Sequence, residues 1–156
     1  MTQSWQIERA SKLPPDLEPL ADEARRENYE FIDRMIARWR AGEFCFDRPG
    51  EQFCFVRSRE VLIGCGGLSI DPYLSPEEAK GRVGRVRHLY VLPSERGRGV
   101  GASLLRHILD ESGSHFSKIR LPADSPDAAR LYERFQFVPI DDATATHHFI
   151  PVRDFL

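Results

Sequence analysis

The chain has no apolar run near the ~20 residues that a membrane-spanning helix requires, and its polar beginning around Met1 to Ser4 lacks the pattern of a signal peptide. It therefore reads as a cytoplasmic protein without a membrane span. An excess of charge of one sign is missing too, with 22 Lys and Arg against 24 Asp and Glu and a net charge of -2. That balance excludes a general nucleic-acid or acidic-membrane surface and confines any positive field to a local patch. Cysteine is scarce. Cys45, Cys54 and Cys65 are odd in number and lack the paired spacing of a zinc or redox site, which predicts reduced thiols and no metal. No residue beside Cys45 supports a nucleophilic role, and His147 and His148 fall on opposite sides of a strand, a poor metal pair. Internal repeats, low-complexity tracts and long linkers are all absent, so residues 1–156 read as a single domain able to bury roughly two-thirds of its unfolded surface.

What the chain does have is concentrated between Arg85 and Leu109. Val86, Leu89, Tyr90, Val91 and Leu92 have the β-branched and aromatic character of a buried strand, which Pro93 ends. From Val100 the period becomes helical, with Leu104, Leu105, Ile108 and Leu109 forming the apolar stripe. Arg96-Gly97-Arg98-Gly99-Val100-Gly101 lies where the strand hands over to that helix. The first N–H groups of a helix have no internal partner and carry partial positive charge. Glycines let an anion approach them, and Arg96 and Arg98 add full charges, so the stretch predicts a phosphate site.

The spacing Arg96-x-x-Gly99-x-Gly101 after Leu89-Tyr90-Val91-x-Pro93 resembles the pyrophosphate loop of the GNAT superfamily of N-acetyltransferases, and Ala128-x-x-Leu131-Tyr132-x-x-x-x-Phe137 resembles its second signature. Together they cover about the C-terminal half. The resemblance implies acetyl-CoA as co-substrate, with Arg96, Gly97, Arg98, Gly99, Val100, Gly101 and Ala102 around the diphosphate. It implies that the strand carrying Leu89, Tyr90 and Val91 splays from its neighbour and offers backbone groups to the pantetheine arm and the thioester. Ser125 stands where the family usually has Asn, keeping one hydrogen bond to pantetheine with a shorter reach. Tyr132 matches the tyrosine that protonates the departing thiolate. Gln136 stands where the family usually has Gly, and φ > 0 there would cost a non-glycine about 1 kcal/mol, so a different helix end is expected.

Around this centre the pattern predicts a strand at 5–10, a helix striped by Leu17, Leu20, Ala21 and Ala24, and a second helix over about 27–41 stopped by Gly42. A hairpin of 53–57 with 61–70 follows, its Cys65-Gly66-Gly67 suggesting a bulge or a close backbone approach. Ser75 and Glu78 read as a capping box. A fifth strand at 118–123, a helix capped by Ser125 with Pro126 first, and strands at 137–140 and 143–152 complete the chain. The whole is expected to be α/β, a mixed, mostly antiparallel, twisted sheet of about seven strands flanked by about four helices. Asn28, Tyr29 and Phe31, joining the first two helices, are candidates for the acceptor cleft by resemblance and ordinary core aromatics otherwise.

Acetyl transfer to an amine needs an oxyanion donor, a route for the amine's proton and an acid for the thiolate. Tyr132 is the candidate acid. His88 is the candidate base through water, or else a packing histidine; strand alternation puts it on the face of Val86 and Tyr90. The expected function is N-acetyl transfer from acetyl-CoA to a primary amine, on a small molecule or a peptide, by direct attack in a ternary complex, with no nucleic-acid or membrane partner and a homodimer left open. Two alternatives stand beside it. A coenzyme-binding regulatory module without turnover would keep the anion site, and a dinucleotide-binding oxidoreductase would use Gly97-x-Gly99-x-x-Ala102 with Asp124. The second fails on architecture, because Pro93-Ser94-Glu95-Arg96 separates the strand from the first glycine and roughly 60 residues are too few for repeated βαβ units.

Overall fold

A computed structural model describes residues 4–110 and 112–151; Met1 to Gln3 and the expected strand end at Val152 lie outside them. The strands are β1 (Gln6–Arg9), β2 (Gln52–Ser58), β3 (Val61–Ile70), β4 (Val83–Val91), β5 (Lys118–Leu121), β6 (Val138–Pro139) and β7 (His147–Phe149). The helices are α1 (Glu18–Arg26), α2 (Phe31–Arg40), α3 (Val100–Leu109) and α4 (Pro126–Arg134). One seven-stranded sheet runs β1-β2-β3-β4-β5-β7-β6. Only β4 and β5 are parallel; all other pairs are antiparallel. The mixed, mostly antiparallel sheet with four helices is the expected architecture. No helix among the described residues is long and apolar enough to cross a membrane.

Both faces of the sheet are covered, which is why β2 reads as a continuous apolar run. Its alternation sends Phe53 and Phe55 to the side of Leu20, Ala24, Ile32, Met35 and Ile36 from α1 and α2. Cys54 and Val56 go to the opposite side, against Leu104, Leu105 and Ile108 of α3 and Tyr132 of α4. The capping box closes as expected: the Glu78 amide donates to Ser75 Oγ and the Ser75 amide to Glu78 Oε1, each at 3.1 Å.

Three expectations at element ends are corrected. Asn28 has φ 68°, and its amide donates to Arg25 O at 3.0 Å while that of Tyr29 donates to Ala24 O at 2.9 Å. This left-handed cap ends α1, so the second helix begins at Phe31 and not near Glu27. The C-terminal strands are shorter than predicted because β6 and β7 pair over only two positions, Val138 with His148 and Pro139 with His147. At the end of α4, Gln136 does take the left-handed conformation, φ 72°, with its amide on Glu133 O and that of Phe137 on Tyr132 O. The helix ends as a glycine would end it, and the chain carries the strain of about 1 kcal/mol.

Candidate active site

The site starts from an irregularity in β4. This strand pairs with β5 only at Val83, Gly84 and Arg85, so beyond Arg85 that edge of β4 is open. On its other edge, His88 and Leu89 together face the single Gly66 between the pairs Cys65–Tyr90 and Gly67–Arg87. His88 takes φ 59°, which costs a non-glycine about 1–2 kcal/mol. The bulge breaks the alternation expected from sequence. Arg87 and His88 now face the same side: the Arg87 guanidinium lies 5.4 Å from the Phe44 ring centre, and the His88 ring stacks on Phe31 at 5.7 Å. Val86 and Leu89 share the other side with α3. Gly66 makes room there, since a Cβ on it would stand 2.8 Å from Leu89 Cδ1.

The glycine loop follows. Gly97 and Gly99 have φ 80° and 89°, a region open to glycine, and Gly99 is the N-cap of α3. None of the backbone N–H groups from Gly97 to Ala102 meets an acceptor among the described residues; internal bonding resumes with Ser103 N donating to Gly99 O at 2.9 Å. Successive free donors at a helix N-terminus form an anion cradle. The expected extra charges are not free. Arg96 binds Glu27 through two nitrogens, at 2.9 and 2.6 Å, and donates Nε to Val91 O. Arg98 pairs with Glu95, donates to Ser4 Oγ at 2.7 Å and lies over the Trp5 ring. Arg96 thus braces the loop and Arg98 turns outward; the free charge at the cradle is that of the amides.

Glu27 also accepts the Tyr90 hydroxyl at 2.6 Å, tying the end of α1 to β4 and the loop. The Arg96 guanidinium holds its carboxyl below the ordinary value of 4.5. A lowered carboxylate contributes stability that is complete above its unfolded pKa and is lost as pH falls through the folded one. Glu27→Gln is therefore expected to cost about 1 kcal/mol at pH 7, little because the pair is partly solvated. Thermal unfolding of the two proteins should differ at neutral pH and converge in acid.

Two cavities meet beside β4. The larger, about 610 Å³, is lined by the cradle from Gly97 to Ala102 except Arg98, by Leu89, Tyr90, Val91 and Arg96, and by Ser125 and Leu131 of the α4 side. The smaller, about 450 Å³, is lined by Arg34, Met35 and Arg38 of α2, by Phe44 and Tyr73, and by Arg85, Arg87 and His88 of β4. Phe31, Leu89, Asp124 and Tyr132 line both and form the junction. Among the residues expected to contact the acceptor, Phe31 is at this junction, Tyr29 lines the larger cavity only, and Asn28 lines neither because it is the cap of α1. Ser125 caps α4 as predicted, its Oγ accepting from the Ala128 amide at 3.1 Å.

Burial, and secondarily the charge of Asp124, raises the Tyr132 phenol, so it stays protonated as a donor. Its hydroxyl has no hydrogen-bond partner among the described residues. Asp124, open to solvent by area yet crowded by the cavity walls, has its carboxyl raised by desolvation. His88 moves the opposite way. Burial, then Arg87, Arg34 and Arg38, push its ring to about 3, leaving a neutral and very weak base. Desolvation likewise pushes Cys54 to about 11 and Cys65 higher still, so both are inert thiols. No group of three or more His, Cys, Asp or Glu able to hold a metal occurs among the described residues. Asp124, at the junction of the two cavities, is a titratable side chain to which sequence patterning gave no acid–base role. Its position immediately before the Ser125 cap, at the mouth of a helix, was the available signal.

The family model described as Acetyltransferase (GNAT) family matches residues 11–137. A curated relative, an IAA acetyltransferase of Azospirillum brasilense, is 32% identical over 65 residues, covering 42% of this chain and 38% of that protein. Another curated relative is 31% identical over 101 residues, 64% of this chain and 27% of its own length, so the chain spans well under half of either. Among solved structures, a candidate acetyltransferase from Exiguobacterium sp. 255-15 superposes with TM-score 0.82 and 25% identity, over 95% of this chain and 94% of that one. A GNAT family N-acetyltransferase from Escherichia coli, solved in complex with CoA, shares the fold at TM-score 0.67 and 15% identity, over 97% and 84%.

Proposed function

The chain belongs to the acetyltransferase (GNAT) family, whose members are acyltransferases, and from that premise we propose that it passes the acetyl group of acetyl-CoA to a primary amine by direct attack in a ternary complex. In this reading residues 1–156 act as one domain. The observation that carries it is the run of acceptor-free amides, Gly97 to Ala102, in a cavity that meets a second one at Tyr132. The diphosphate of acetyl-CoA lies on the amides and its pantetheine arm runs along the open edge of β4 past Leu89, Tyr90 and Val91, near Ser125. The thioester then reaches the junction, with the amine in the smaller cavity.

The amine nitrogen bonds to the thioester carbon, whose oxygen becomes an oxyanion facing the backbone of β4. The amine's proton passes, directly or through one water, to Asp124 and then to solvent. As the tetrahedral intermediate collapses, the C–S bond breaks and the thiolate takes the phenolic proton of Tyr132, which is restored from solvent. Phe31 and Leu89 exclude bulk water. His88, weakly basic, serves as a wall of the acceptor cavity. The reaction is placed in the cytoplasm, where Cys54 and Cys65 remain thiols.

The test is release of free thiol from acetyl-CoA with a panel of amines. Turnover supports the reading, whereas tight CoA binding with no thiol released on any amine would favour a regulatory module. Asp124→Asn is expected to lower kcat/KM by about 100-fold at neutral pH. Because the base must be ionised, the wild-type rate should fall as pH drops through the raised pKa of Asp124. That acidic limb should be missing from the Asp124→Asn profile.

A further inference from the structure

The charged lining of the smaller cavity is mostly arginine. Four arginines line it, Arg34, Arg38, Arg85 and Arg87, against one carboxylate, Asp124 at the junction. Their partners differ. Arg85 is buried and committed, donating Nε to Asp71 at 3.0 Å and Nη2 to Thr144 Oγ1 at 3.1 Å. Arg34 and Arg38, four residues apart on α2, have only loose solvent-exposed pairs, with Glu30 at 3.3 Å and Glu43 at 3.7 Å. The Arg87 side chain makes no hydrogen bond and no ion pair among the described residues; its guanidinium lies over the Phe44 ring, 5.4 Å from the ring centre. The bulge at His88 fixes this arrangement, since it brings Arg87 and His88 to the same side of β4.

A half-buried guanidinium without a counter-ion, crowded by like charges, lacks a partner that a ligand could supply. A cationic amine would be repelled from such a cavity. A molecule with an oxyanion at the arginine end and an amine at the Asp124 and Tyr132 end would match its polarity, with Phe31, Phe44 and His88 packing the middle. We propose that the acceptor is a small primary amine bearing an oxyanion, a carboxylate or a phosphate, held by Arg87 with Arg34 and Arg38, its apolar body lying against Phe31, Phe44 and His88. This rests on the acetyl-transfer reading above. Arg87 acts here in specificity: it binds the ground state and the transition state alike, so its effect falls on KM.

The experiment compares four amines on one ring frame, differing in the charge of the group opposite the aminomethyl: 4-(aminomethyl)benzoate, 4-(aminomethyl)phenyl phosphate, 4-(aminomethyl)benzamide with an uncharged group there, and 1,4-bis(aminomethyl)benzene with a second cation. Thiol release should favour the better oxyanion over the benzamide by about 100-fold in kcat/KM, with the dication no better than the benzamide. Which of the two anions leads identifies carboxylate or phosphate as the group recognised. Arg87→Gln should reduce that preference to under about 5-fold, mainly through KM, and Arg87→Lys should recover part of it. If Arg87→Gln does not fold, the double variant Arg34→Gln, Arg38→Gln on the exposed side of α2 should weaken the same preference. Equal use of anion and benzamide by the wild type, or a preference untouched by the variants, overturns the inference. If no amine releases thiol, calorimetry with CoA present decides separately. Anions that bind more tightly than the benzamide and depend on Arg87 uphold the anionic class while acetyl transfer falls, and equal or undetectable binding of all four overturns it.

Discussion

Gly99→Glu is expected to abolish CoA binding, raising Kd more than about 100-fold, while leaving a folded protein. Gly99 has φ 89° and caps α3, and nothing lies within 4 Å of the position a Cβ would occupy. A side chain therefore has space, and the left-handed backbone costs it about 1–2 kcal/mol. A glutamate carboxylate at that point would also be drawn to the helix N-terminus, where negative charge is favourable. It would occupy the cradle in place of the diphosphate and repel any phosphate that approached, and losing a charge-assisted diphosphate contact to several amides is worth at least 3 kcal/mol by the usual range of about 1.5–3 per bond. Gly99→Ala separates strain from charge. It should lower the unfolding midpoint by a few degrees, about 1 kcal/mol of stability, and weaken CoA binding only a few-fold. Calorimetric titration with CoA on both variants, with thermal unfolding as the control, checks the pair.

Tyr132→Phe should lower kcat by about 100-fold or more and change the Kd of acetyl-CoA by less than about 3-fold. The asymmetry follows from its surroundings. The ring is buried and packs on Phe137 at 5.8 Å, a contact the phenylalanine keeps. The hydroxyl has no partner to lose among the described residues, so its removal takes away the proposed proton donor at the junction and little else. Single-turnover thiol release together with equilibrium binding separates the two quantities. Equal losses in both would mean that Tyr132 holds the ligand and does not protonate it.

Features set by neighbours along the chain were legible in advance. The strand, glycine turn and helix of 85–109, the Ser125 cap and the Ser75–Glu78 box all depend on residues within a turn or two of one another, and propensity and capping chemistry suffice to find them. Features set by pairing across the fold were not. The flip at His88 exists because Gly66, 22 residues earlier, faces two residues of β4, and strict alternation carries no sign of it. Arg96 looked like a phosphate ligand because its partner Glu27 is 69 residues away. The arginine cavity draws on α2 and β4 at once, so its charge is invisible in a chain whose net charge is only -2. Gln136 shows a third case, in which the local rule was known and the fold overrode it: packing of Tyr132 and Phe137 holds the turn against the residue's own preference.

The most direct test is a crystal structure of the protein with acetyl-CoA bound. The diphosphate oxygens are expected within hydrogen-bond distance of the amides between Gly97 and Ala102, with the thioester carbon at the junction beside Tyr132 and Asp124. A diphosphate bound elsewhere, or a thioester directed away from the arginine-lined cavity, would contradict the proposed transfer.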